Sequence, residues 1–152
     1  TLQGRGPNDL VELTLDLAVK VATASRGQLV RWLEDGTAWR KFVALVEGQG
    51  GDGSALEKIG ETHAAPIVHP MPAQRSGTVE RMNAEAIGRA ALYLGAGRAQ
   101  AADVIDFSVG CSRIKQLGEQ VEMDEPLMLV HARSEAGLAA VLPLLEGAVE
   151  IS

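Results

Sequence analysis

The 152-residue sequence predicts an α+β protein: a helical N-terminal segment over residues 1–60, then a mixed α/β unit of short antiparallel or mixed strands with two helices over 61–152. Three observations carry this. Before residue 50 the apolar residues recur at helical spacing. Beyond residue 61 the texture shifts to prolines and short β-branched runs bounded by Gly, Asp and Ser, with helical spacing returning twice. The composition, 46% hydrophobic and 22% charged, supports a packed core and is far from that of a disordered chain. With aromatics at 3%, the core must be aliphatic.

In "GPNDLVELTLDLAVKVATA" Pro7 stands near a helix start, where its missing N–H costs little. Leu10, Leu13, Leu17 and Val21 form one apolar stripe, and Val11, Leu15, Ala18 and Ala22 a second, so the helix should pack on several sides. "QLVRWLED" predicts a short second helix closed by Gly36. Trp39, Phe42, Val43 and Val46 mark a third, which stops at the Gly-rich "GQGGDG". Ser54 and Glu57 fit a capping box for a short following helix.

"HAAPIVHPMPAQ" predicts an extended lead-in and "GTVERM" a strand. Asn83 can cap a helix carrying Ile87, Ala90, Ala91 and Leu94, with Gly95 as the residue just past its end. "VIDFSVGCS" alternates strictly, with Ile105, Phe107, Val109 and Cys111 on one side; it predicts a half-buried strand. "GEQVEMDEPLMLVHA" predicts strand, tight turn at Asp124–Pro126, strand. Ser134 can cap a last helix through Leu138, Val141, Leu142 and Leu145, kinked or cut short at Pro143, and "AVEIS" closes as a strand.

A net charge of −6 and an isoelectric point near 5.0 argue against nucleic acid and anionic membranes as partners, since both need clustered Lys and Arg. The single cysteine, Cys111, excludes an internal disulfide and fits a reducing compartment; the expected location is the cytoplasm. It sits on the apolar side of its strand and is expected to be an inert buried thiol. No stretch approaches a membrane span. The chain starts at Thr1 without methionine, as a processed protein or a fragment would.

His63 and His69, six apart in a proline-bounded segment, lack metal-ligand spacing, and no Cys or carboxylate cluster complements them; no metal site is expected. His131 reads as a hydrogen-bonded structural residue. "LGAGR" holds Gly95 and Gly97 but has Gln100 at the third position of a dinucleotide fingerprint, and it follows a helix rather than a strand. It is not a self-contained phosphate loop.

Taken in order, "GRGPNDLVEL", "FVALVEGQGGD", "SGTVERMNAEAIGRAALYLGAGRAQAADVIDFSVG", "KQLGEQVEMDEPLMLVHA" and "AVEIS" resemble the C-terminal part of pyrimidine-nucleoside phosphorylases, the thymidine phosphorylase family. "QGGD" together with "LGAGR…D.ID…G" is the most specific part. Archaeal AMP phosphorylases share this architecture and are the close alternative.

The resemblance implies a larger, homodimeric enzyme of nucleoside salvage. Residues 1–60 would end its large α/β domain, and residues 61–152 would form a C-terminal domain of the hammerhead type. Such enzymes cleave thymidine or uridine with inorganic phosphate to free base and (deoxy)ribose 1-phosphate, by positioning and electrostatic stabilisation. The family's phosphate-cradling and base-reading residues, and the cation site of some members, match nothing in this chain. No catalytic residue, metal or cofactor is therefore assigned, and the chain by itself should be inactive. The stretch from Gly95 to about Asp103, with Gly95, Gly97 and Arg98, matches the loop that folds over the substrate cleft when the domains close. Asp124, where the family commonly has glycine, and Pro143 depart from the pattern. Two other classes compete: a biotinyl- or lipoyl-type carrier, for which Lys115 precedes the wrong strand, and a non-catalytic domain that binds a separate catalytic polypeptide.

Overall fold

The computed structural model describes residues 1–58, 63–98 and 100–152. They form two compact units, Thr1–Ile59 and Gly60–Ser152. The expected boundary residues 59–62 and Ala99 lie outside the described residues.

The first unit holds α1 (Asn8–Val21), α2 (Arg26–Glu34), α3 (Thr37–Gly48) and a 3-10 helix at Gly53–Lys58. The Pro7 carbonyl accepts the first bond of α1, from the Val11 N–H. Of the predicted stripes, Leu15 is buried, whereas Leu10, Leu13, Leu17 and Val21 are exposed. Arg26 bridges Glu12 and Asp16, tying the start of α2 to the polar side of α1. Gly36 closes α2 as predicted: it follows the Asp35 C-cap in a left-handed conformation (φ 76°) and leads directly into α3. Ser54, by contrast, does not cap the following helix. Asp52 does so, accepting from the Ser54 N–H at 2.9 Å and the Ser54 hydroxyl at 2.7 Å, because a carboxylate one residue outside the turn reaches the free donors better.

The second unit holds β1 (Ile67–Pro72), β2 (Gly77–Met82), α4 (Ala84–Leu94), β3 (Gly110–Ser112), β4 (Gln120–Val121), β5 (Pro126–Ala132), α5 (Glu135–Glu146) and β6 (Val149–Ile151). The strands form two three-stranded antiparallel sheets, ordered β1-β5-β3 and β4-β2-β6. This is an α+β arrangement. Pro70 and Pro72 are tolerated because β1 is an edge strand. Central β5 carries the most apolar positions, and Leu127, Met128, Val130 and Ala132 are all buried. Met71 faces Met128 across the β1–β5 register, and Val79 faces Ile151 across β2–β6. Helix α5 adds Leu138, Val141 and Leu145, and α4 adds Ala90.

Two predicted features change, and the strand–turn–strand reading around Asp124 holds. The strand expected over 104–112 shrinks to β3, leaving Phe107 73% exposed and Val104 91% exposed. The segments on either side of Asp124 are strands joined by a turn, with Asp124 at φ 68° and the Glu125 N–H donating to the Glu122 carbonyl. They do not pair with each other: β4 joins β2, while β5 joins β1 and β3. Helix α5 does not stop at Pro143 but runs on to Glu146. Pro143 and the preceding Ala139 and Ala140 lie on the exposed side, where water can satisfy a freed carbonyl, while Leu138, Val141 and Leu145 hold the buried side in place.

Candidate functional site

The expected loop begins where α4 ends. The Asn83 carboxamide accepts the Ala86 N–H at the helix start. At its end Gly95 adopts φ 105°, a conformation costly for any residue with a Cβ. The Gly95 N–H donates to the Leu92 carbonyl and the Ala96 N–H to the Ala91 carbonyl, the paired bonds of a Schellman ending. Gly95 is thus the helix-ending residue that its position after Leu94 predicts. Gly97 folds back over Leu92: a Cβ there would come within 2.9 Å of Leu92 Cδ1. Its glycine has a packing reason of its own. Arg98 is exposed and makes no hydrogen bond or ion pair among the described residues.

The loop returns at Asp106, whose N–H donates to the Gly95 carbonyl at 2.9 Å. The Asp106 carboxylate accepts from the Ser108 N–H at 3.0 Å and the Ser108 hydroxyl at 2.6 Å. Its other oxygen accepts from Arg133, at 2.9 Å from Nε and 2.8 Å from the nearer Nη. This local side-chain turn is what ends the predicted strand, since an Asp that bonds the N–H two residues on competes with a ladder. The alternation of "VIDFSVGCS" hid it; the signal was the Asp-x-Ser spacing, which fits an Asx turn as well as a strand. Asp106, Ser108 and Arg133 were missed as a group because Arg133 is distant in sequence.

The Ser108 hydroxyl and N–H, and then the Arg133 guanidinium, hold the Asp106 carboxyl down from its ordinary 3.8 to about 2. A depressed acid supports the folded loop fully above 3.8, and that support is lost as pH falls through about 2. The Asp106 side-chain carboxyl, followed by NMR, should titrate near 2; a midpoint at 3.8 would remove the clamp from solution.

Beside this turn lies an open cleft of about 390 Å³ lined by His63, Val104, Phe107, Ser108 and Arg133, with the His63 and Phe107 rings 6.0 Å apart. His131 lies on β5, its Nε2 2.7 Å from the Ser112 hydroxyl, as a structural histidine would. His69 stands on β1 across from Val130. Burial pushes the Cys111 thiol up, so it is a poor nucleophile at neutral pH. Lys115 pairs with Glu125 at 2.6 Å, bracing the turn before β5. Among the described residues, no group of three or more His, Cys, Asp or Glu side chains could hold a metal ion, and no helix is long and apolar enough to cross a membrane.

The second unit is therefore a small two-sheet α+β domain that displays one tethered surface loop. Residues 78–152 match the family described as pyrimidine nucleoside phosphorylase C-terminal domain, so the chain carries a domain of that family. It is 39% identical over 135 residues to a thymidine phosphorylase of Burkholderia lata, covering 88% of this chain and 31% of that protein. It is 36% identical over 144 residues to a pyrimidine-nucleoside phosphorylase of Bacillus subtilis, covering 89% of this chain and 33% of the relative. A pyrimidine-nucleoside phosphorylase of Staphylococcus haemolyticus matches 99% of this chain at 36% identity, over 37% of its own length. The chain spans about a third of the length of the curated relatives it matches.

Proposed function

We propose that this chain is the C-terminal part of an enzyme that cleaves a pyrimidine nucleoside with inorganic phosphate, giving free base and (deoxy)ribose 1-phosphate. Its part in the reaction is closure of the substrate cleft, and the catalytic groups belong to the remainder of the enzyme. The observation that carries this reading is the match of residues 78–152 to the C-terminal domain of that family. The similarity to the Staphylococcus haemolyticus relative supports extending it upstream, with residues 1–60 as the end of the large α/β domain. The complete enzyme would be a cytoplasmic homodimer of nucleoside salvage.

Phosphorolysis needs cationic and hydroxyl groups around an anionic nucleophile and a departing base, in a site from which water is excluded. In this reading Arg98 is the closing contact of the Gly95–Asp103 loop. Its exposure, and its lack of a partner among the described residues, leave it available for that contact.

The 152-residue chain mixed with thymidine or uridine and phosphate should release no free base; turnover would show that it holds a complete site. In the complete enzyme, Arg98→Ala should lower kcat about 10- to 100-fold, the scale of a misplaced active-site contact, without moving the melting temperature of this domain. Unchanged kinetics would remove Arg98 from the closing contact.

A further inference from the structure

We propose that Asp106 is a positioning residue: clamped by Ser108 and Arg133, it holds the two ends of the loop from Gly95 together and so sets where Arg98 is presented. The proposal rests on the closure reading for its consequence in catalysis, but its structural half stands apart from it.

The loop leaves α4 at Gly95 and comes back to the same point at Asp106, where the Asp106 N–H meets the Gly95 carbonyl at 2.9 Å. Inside it, an Asp103 carboxylate oxygen accepts the Gln100 N–H at 2.8 Å. The closing bond alone is a single neutral hydrogen bond. What fixes it is the side chain of the same residue, tied to Ser108 on one oxygen and to Arg133 on the other, with Arg133 also reaching the Ser108 hydroxyl at 3.2 Å. Arg133 lies between Ala132, the fully buried last residue of β5, and Ser134, whose hydroxyl accepts the Gly137 N–H at the start of α5. The clamp is thus rooted where buried central β5 passes into capped α5. Charge-assisted bonds of this kind are about twice as strong as neutral ones, so the anchor is stronger than the bond it supports.

Hydrogen exchange on the 152-residue chain tests the structural half. Asp106→Asn and, separately, Ser108→Ala should speed exchange of the amides between 96 and 106 at least about tenfold, leaving β5 unchanged. Unchanged exchange in the loop overturns the proposal. Equal acceleration in β5 also overturns it, because Asp106 would then be supporting the whole domain. In the complete enzyme, Asp106→Asn should lower kcat, and the Arg98→Ala, Asp106→Asn double variant should be no slower than Arg98→Ala alone, since both act through one side chain. A slow Arg98→Ala enzyme with Asp106→Asn at full rate overturns the positioning role and leaves the closure reading intact. Full rate in Arg98→Ala overturns the closure reading and with it the catalytic half of the proposal; exchange then decides the clamp alone.

Discussion

Leu145→Ala is expected to lower the melting temperature of the C-terminal unit by more than about 12 °C. Leu145 is fully buried, in a core it shares with Val130, Met128 and Val141. Truncating such a side chain costs about 3–5 kcal/mol through lost transfer energy and the cavity left behind, and each kcal/mol shifts a domain of this size by about 4–8 °C. The site should lie at the upper end. Leu145 is the last buried anchor of α5 and the only one beyond Pro143, where the helix has already lost one backbone bond. Without it the final turn has little to hold it down, and β6, which starts at Val149, loses its lead-in. Pro143→Ala provides the contrast: it restores an N–H on an exposed face and should raise stability. Calorimetry of both variants decides the matter, and a Leu145→Ala chain that melts with the parent would mean that α5 is held from its other end.

Gly77→Ala is expected to cost about 3 kcal/mol and to detach β6. Gly77 opens β2 at φ 157°, and a Cβ built there would lie 2.0 Å from the Ser152 carbonyl oxygen and 2.8 Å from Ile151 Cγ2. Neither overlap can be relieved by turning a long side chain, since one contact is backbone and the other a branched core residue. Relief requires the C-terminal strand to move, which breaks the Ser152 N–H bond to the Thr78 carbonyl and the Val79–Ile151 register. Gly88→Ala is the control. It lies on the exposed face of α4 with nothing within 4 Å of the added methyl, and should stabilise the helix by about 1 kcal/mol. Amide exchange at Val149–Ile151 would read the difference; protection in Gly77→Ala equal to the parent would show that the close approach relaxes without cost.

Local chemistry was legible wherever one residue decides one geometry. Asn83 and Ser134 accept the helix-start N–H groups that their positions predicted, and Gly95 ends α4 with φ positive. The alternation of "VIDFSVGCS" misled, because period two records only which side chains differ in polarity. It does not record that Asp106 would spend its carboxylate on Ser108 and Arg133 instead of leaving the backbone to a ladder. Likewise Asp52, not Ser54, caps the 3-10 helix, a choice between side-chain oxygens two residues apart that spacing cannot rank.

By itself the sequence determined most of the elements and the family resemblance, because periodicity, caps and an ordered set of motifs are properties of neighbours along the chain. It also singled out Gly95, Gly97 and Arg98 as a loop. Only the tertiary structure decided how that loop is held. Arg133 is the residue just past the end of β5, and it meets Asp106 because the β3–β5 pairing sets Gly110 beside His131 and brings the two flanking turns together. Strand register is a long-range outcome of burying β5 in the core, and the clamp on the loop follows from it.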